Sequence, residues 1–335
     1  MFKNLSIYRI GADWQPPLAE AEEALAREVF VPCAPTQQQS FGWVPPRGKA
    51  HGVLVEDVGG HWLLKLQVEQ RVLPGSVVNE RAEELAEQIE QQTGRKPGRK
   101  AMKELKEQAV HELLPRAFTK SSAQRVWIAH EQRLLMIDAA SASRAEAVVT
   151  LLVKALPGLS LHLVQTAEAP ATCMAAWLMD GQPPEHFFVD RDCELKTADE
   201  LKSVVRYARH SLDIEEVRQH LVAGKRPTRL ALSWQDRVAF TLTDTLQLKK
   251  ISFLDGVFED RPAPSERASA DEAFDADAAI ATGELSQLIP ALIEGLGGEH
   301  DFFAAGAALA AADATPPAGA AFAEASAVET SEAPW

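Results

Sequence analysis

Three strings in this 335-residue sequence put chemically able side chains close together. Asp190 followed by Glu194-Leu195-Lys196 has the look of a metal-dependent nuclease, and Asp271, Asp275 and Asp277 form a second acidic group. Such hydrolysis needs carboxylates converging on a cation that polarises a phosphoryl oxygen. Acidic-x-Lys strings arise often by chance, however, and carboxylates at the start of a helix serve as caps and dipole partners. The third string, Gly42-Trp43-Val44-Pro45-Pro46-Arg47-Gly48-Lys49-Ala50, is the nearest approach to a phosphate loop. It fails on physics, because two prolines remove amide donors that would cradle phosphates and Ala50 replaces the hydroxyl that would hold Mg²⁺. No Ser/His/Asp spacing suggests an activated nucleophile. Cys33, Cys173 and Cys193 have neither a C-x-x-C pair nor a ligand spacing with histidine, which argues against a disulfide framework or structural zinc. The expectation is a protein without catalytic residues, metal or cofactor.

A different chemistry stands out between Gly94 and Arg125. This stretch carries nine basic residues, Arg95, Lys96, Arg99, Lys100, Lys103, Lys106, Arg116, Lys120 and Arg125, against the three acids Glu104, Glu107 and Glu112. Lys and Arg that neutralise phosphates gain affinity by releasing condensed counterions, so a cluster of this density fits a polyanion; a solvated helical face is the alternative. The formal net charge of −14 does not oppose this reading, because it resides in the last part of the chain. Residues 1–254 balance 32 basic against 32 acidic side chains, whereas residues 255–335 hold two basic and sixteen acidic ones. A second basic zone comprises Arg206, Arg209, Arg218, Lys225, Arg226 and Arg229.

The elements that must position these charges follow from periodicity. Phe2–Ile10 alternates like a strand and Leu18–Phe30 repeats at helical spacing. His51–Val58 and His61–Val68 are strand-like runs joined by Gly59-Gly60, a tight-turn dipeptide. A second hairpin, Arg125–His130 to Arg133–Asp138, precedes a helix from Ala142 to about Leu156 and a strand from Leu159 to Val164. The order suggests one sheet domain of two similar halves with an insertion between them. The insertion is the basic segment: Val78–Gln92 and Arg99–Leu114 read as helices joined by a glycine-bracketed turn containing Pro97, hence an antiparallel hairpin with a basic tip. On its second helix Met102, Leu105, Ala109 and Leu113 share one stripe and Arg99, Lys100, Lys103 and Lys106 another.

Beyond about Ala169 a second α+β unit is expected, with helices at Thr172–Asp180 and Ile214–Ala223 and strands near His186–Asp190, Val204–Ala208, Thr228–Trp234, Arg237–Leu242 and Leu246–Leu254. A helix over Ala273–Leu296 closes it. Residues from about Phe302 to Trp335 are Ala-rich, acidic and poor in large apolar groups, which predicts disorder. The N-terminus lacks the pattern of a secretory signal, and no window approaches a membrane-spanning apolar run. The expected class is α+β, divided as 1–76 with 119–168 (central sheet), 77–118 (helical-hairpin tip), 169–300 (base) and 301–335 (tail), in a soluble, cytoplasmic protein.

Six strings, taken in order over residues 1 to about 299, resemble the bacterial recombination-associated RdgC family: Phe2-Lys3-Asn4-Leu5 with Tyr8-Arg9, Gly42-Trp43-Val44-Pro45-Pro46, Leu113-Leu114-Pro115-Arg116-Ala117-Phe118, Leu230-Ala231-Leu232 with Trp234-Gln235, Phe274-Asp275-Ala276-Asp277, and Thr282-Gly283-Glu284-Leu285. The resemblance implies a non-enzymatic, nucleoid-associated DNA-binding protein with crescent-shaped subunits. These would form a homodimeric ring that passes duplex DNA, with single-stranded DNA also bound, and would antagonise the RecA recombinase. It implies that Phe118, with Leu114, lies at one ring interface and inserts into the partner subunit, and that the base domain forms the other. The DNA-facing residues expected on this basis and from the charge pattern are Arg95, Lys96, Arg99, Lys100, Lys103, Arg116, Lys120, Arg206 and Arg209. Arg209 and His210 stand where the family pattern has Lys and Gln. A metal-dependent nuclease and a protein-binding module without DNA affinity are the alternatives.

Overall fold

The computed structural model describes residues 2–48, 51–197, 203–254, 257 and 270–300, and side chains only from Glu272 in the last segment. The expectations for Ala50, for the Asp271 side chain and for the tail at 301–335 lie outside these residues. The class is α+β, as the periodicity predicts: one large antiparallel sheet with seven α-helices among the described residues.

The first half of the sheet is built from β1 (Leu5–Ile10), β2 (Gln39–Val44), β3 (Glu56–Val58), β4 (His61–Arg71), β5 (Thr119–Ala129), β6 (Leu134–Asp138) and β7 (Leu161–Leu163), with helices α1 (Leu18–Ala26) and α4 (Ala142–Ala155). Between β4 and β5 the chain leaves the sheet to form α2 (Gly75–Thr93) and α3 (Arg99–Leu113). The second half comprises α5 (Pro170–Asp180), β8 (Phe187–Lys196), β9 (Val204–Tyr207), α6 (Glu215–Val222), β10 (Arg226–Trp234), β11 (Val238–Thr243), β12 (Leu248–Phe253) and α7 (Ala270–Gly295). The strand order is β2-β4-β5-β6-β1-β12-β11-β10-β8-β9, with β3 on β4 and β7 on β1. The halves meet at β1 and β12, through the pair Leu5↔Leu248 and a hydrogen bond from Ile251 N to Lys3 O at 2.9 Å.

Alternating side chains divide between two faces. One face of the first half, with Trp43, Leu64, Leu66, Val126, Ile128, Leu135 and Ile137, packs beneath α1 and α4. The opposite face, with Phe2, Leu5, Ile7, Leu63, Trp127 and Met136, joins the interior of the second half and α7 in one continuous core.

Three expectations about local structure need correction, and each has a physical cause. The helix expected to run from Leu18 to Phe30 stops at Ala26, because Glu28–Phe30 pair instead with Trp43: Trp43 N donates to Glu28 O at 2.9 Å and Phe30 N to Trp43 O at 3.0 Å. The start of the glycine- and proline-containing string, where the periodicity assigns no element, is accordingly strand β2. Gly42 is required there because a Cβ at that position would overlap the backbone of Phe30 and Val29. Finally, the run expected to extend from His51 to Val58 is a strand only over Glu56–Val58, since the Glu22 carboxylate takes the Leu54 and Val55 amides at 2.8 Å each.

Candidate nucleic-acid interface

Helices α2 and α3 run antiparallel, as the pairing of Arg81 near the start of one with Glu112 near the end of the other at 2.8 Å shows. Their contact is a small apolar cluster centred on Ala82, Leu85, Leu105 and Ala109, where two alanines with no exposed surface permit close approach. Gly94 caps α2 in the left-handed region at φ 69°, and Gly98 opens α3. The link between them therefore reverses within a few residues, and it holds Arg95 and Lys96.

Arg95, Lys96, Arg99, Lys100, Lys103 and Lys106 are all exposed. Among the described residues, Lys103 alone of the six forms an ion pair, a loose one of 3.9 Å with Glu107. Helix N-termini carry partial positive charge from unpaired amides and are normally complemented by acidic residues. The first turn of α3 has no acid and instead contains Arg99 and Lys100. Fixed cations and oriented amides therefore add at one place, which is how a protein builds an anion-binding surface.

At the other end of α3 the chain turns through Leu114–Arg116 and enters β5. The Arg71 guanidinium donates to Leu114 O at 3.1 Å and Ala117 O at 3.0 Å, and also reaches the carbonyls of Cys33 and Ala34. Phe118 O accepts from Val72 N at 2.7 Å. On this anchored backbone the Phe118 side chain is 87% exposed, flanked by exposed Arg116 and Lys120. Leu114 is buried within its own chain. Arg71, the residue that fixes this turn, was not singled out by sequence reasoning, because nothing in a strand-ending arginine signals carbonyl partners some 40 residues away.

The second basic zone is arranged differently. Arg206 lies directly across the β8–β9 ladder from Glu194, and its Nε is 2.6 Å from the carboxylate. Lys196 Nζ reaches the same group at 2.9 Å and the Thr228 hydroxyl donates to it at 2.9 Å. Burial alone would push the Glu194 carboxyl up, but these donors outweigh it and hold its pKa at about 2. Arg218 is taken by Asp213. Arg209 is exposed at φ 55° in the turn after β9, its backbone N–H donating to Asp192 at 2.7 Å, and His210 N donates to Arg191 O at 3.1 Å.

The strings considered for catalysis are dispersed among structural duties. Asp190 lines an open cavity of about 650 Å³ between α5 and β8, whose lining includes neither Glu194 nor Lys196. Asp275 binds Arg47 at 2.5 Å, while Glu56 binds the same guanidinium at 2.9 Å and the Phe274 ring lies 4.9 Å beneath it. Among the described residues no three His, Cys, Asp or Glu side chains converge as metal ligands would.

The strings that carry the family resemblance turn out to meet one another. Arg47, just after Pro45-Pro46, binds Asp275; Arg237, just after Trp234-Gln235, binds Glu284 at 2.5 Å; and Arg9 binds Glu299, just after α7. These pairs dock α7 and its end onto the sheet. Leu113–Phe118 differs from the rest in ending on a large apolar side chain turned to solvent.

An antiparallel-sheet protein with an inserted helical pair that carries a basic tip, and with an outward phenylalanine, is thus the class that fold and surface define. A family model described as "Putative exonuclease, RdgC" matches residues 1–299. Relatives named recombination-associated protein RdgC include that of Dechloromonas aromatica, 46% identical over 89% of this chain and 98% of its own. Those of Cupriavidus necator and Bordetella pertussis are 45% and 42% identical over 89% of this chain, covering 99% and 98% of theirs. The chain belongs to the RdgC family. No helix among the described residues is long and apolar enough to cross a membrane.

Proposed function

We propose that this protein acts in recombination by binding duplex DNA without reading its sequence, as a homodimer closed around the duplex, and that it thereby limits access of the RecA recombinase. The observation that carries the reading is the group of exposed cations on α3 and its preceding link, of which Lys103 alone forms an ion pair among the described residues, in a chain of net charge −14. Arg95, Lys96, Arg99, Lys100, Lys103, Arg116 and Lys120 contact phosphates at one zone, and Arg206 and Arg209 at the other. Phosphate contacts of this kind position a protein without specifying sequence. The role is one of occupancy rather than catalysis, and it places the protein on the nucleoid. The recombination-associated names of the relatives support the cellular setting.

Closure rests on Phe118. An apolar ring held outward on a fixed backbone and rimmed by Arg116 and Lys120 has the composition of an interface centre. Burying it in a second copy contributes roughly 1.5–3 kcal/mol, twice over in a two-fold contact. The decisive experiment compares Phe118→Ser with the parent on linear and covalently closed duplex. The variant keeps its fold, because the side chain is 87% exposed in its own chain, and it keeps most of its affinity for linear DNA. It loses retention on circles after a salt wash, since an open clamp leaves sideways. Equal retention by both proteins removes the ring, and Mg²⁺-dependent cleavage of the circles replaces occupancy with nuclease action.

A further inference from the structure

A groove of about 420 Å³ lies between the β2-β4-β5 end of the sheet and α4. Its floor is set by register. Phe41, Val68 and Ser122 form one cross-strand row, Gln39 and Gln70 the next, and Leu66 with Gln124 a third. Helix α4 covers only part of this face, leaving Phe41 48% exposed. The roof contributes Arg144, an exposed residue in a first turn that holds no acid, and Arg144 makes no ion pair among the described residues. No carboxylate is found among the described residues that line the groove.

Gln124 is the feature that asks for a ligand. It is 6% exposed, it lines the groove, and its side-chain carbonyl oxygen is buried with no hydrogen-bond partner. A buried acceptor left unmatched is destabilising, and it calls for a partner such as an ordered water or a bound ligand. With the amide rotated, an unmatched N–H₂ takes its place, so either orientation presents a polar edge.

We infer that this groove holds one unpaired nucleotide of single-stranded DNA. The base stacks on Phe41, its polar edge meets Gln124, and its phosphate lies toward Arg144. An aromatic platform beside a cation, with amides at the base edge, is the way single strands are held. Lys120, opposite Gln70 in the β4–β5 ladder, continues the positive potential along the strand. The volume is that of a small-molecule site and far too small for a duplex. The inference rests on the nucleic-acid reading above and deepens it by giving single strands a contact that duplex lacks.

The test uses the full chain with Phe41→Ala and, separately, Gln124→Leu, each checked by thermal melting. Binding of one roughly 20-nucleotide single strand and of its duplex is measured by fluorescence anisotropy at two salt concentrations. Loss of one base–aromatic stack weakens the single strand about tenfold. Duplex affinity stays within about twofold, and Gln124→Leu reproduces the selectivity without lowering the melting temperature. A 4-thiothymidine oligonucleotide cross-links to the peptide containing Phe41 in the parent. Unchanged single-strand affinity in a folded variant, or equal losses on both substrates, overturns the inference while leaving duplex binding in place. A parent that binds neither substrate overturns the broader reading, and this one with it.

Discussion

The two basic zones differ in how much of their charge is already paired. On α3 and its link the cations stand in water, and among the described residues only Lys103 forms an ion pair, with Glu107. In the second zone Glu194 gathers Arg206, Lys196 and Thr228, and Asp213 takes Arg218. The difference teaches that charge counted in a sequence is not charge available to a ligand. A free surface cation gives its attraction to a phosphate at little cost, whereas Arg206 must loosen an existing partner first.

Breaking the free zone has the largest expected effect. Changing Arg95, Lys96, Arg99 and Lys100 together to Ala weakens every duplex about a hundredfold at moderate salt. It also flattens the plot of log K against log salt by about 0.9 per lost contact. Stability moves by no more than about 0.5 kcal/mol, as for other exposed sites. Filter binding across a salt series, with two unrelated sequences, checks all three statements; an unchanged slope makes the cluster a solvated face.

The paired zone answers differently. Glu194→Gln removes the carboxylate that holds Arg206, so DNA affinity at low salt rises a few-fold while the fold weakens. A carboxyl whose folded pKa lies below its unfolded value stabilises above the unfolded pKa, and that contribution is lost as pH falls through the folded one. For Glu194 the window runs from about 4.5 down to about 2, and the contribution at neutral pH is on the order of 2–3 kcal/mol. Urea titrations of parent and variant therefore differ most near pH 7 and converge in acid. A constant difference down to pH 2 contradicts this account of the carboxylate. Arg206→Ala, by contrast, costs DNA affinity only about twofold, because a neutralised cation releases few counterions; a loss matching that of one α3 cation erases the distinction between the zones.

The smallest effect belongs to His61 and His130, whose pKa values burial lowers. A base that binds protons more readily when unfolded makes the fold weaken as pH drops below about 6.5. His130→Phe, in the aromatic cluster with Trp14 and Trp62, reduces that slope between pH 6.5 and 5 in thermal melts.

What the sequence made legible follows the range of the interactions involved. The helical pair could be recognised because its apolar and basic residues occupy different stripes and its turn is spelled out by Gly94 and Gly98. The hairpin at Gly59-Gly60 was legible for the same local reason. Strand β2 was not, since Gly42 and Pro45-Pro46 are poor strand formers and the close approach of Phe30 that requires Gly42 is a tertiary feature. Nor was the purpose of the six strings: Arg47 and Asp275 are 228 positions apart, and the bond between them is invisible in one dimension. Glu194-Leu195-Lys196 had a catalytic look because the cross-strand partner that claims Glu194 is set by β8–β9 register.

The small contact between α2 and α3 has a consequence for motion. Four buried side chains, two of them alanine, form the centre of this pair, while the sheet rests on two extensive cores. Elements with so few buried apolar groups open as separate cooperative units well below the global unfolding free energy. Backbone amides of Ala82–Ile89 and Leu105–Ala109 therefore exchange with deuterium far sooner than those of Trp127 or Leu232. The most densely cationic part of the molecule thus sits on its most readily melted part, able to come apart and re-form while the sheet stays intact.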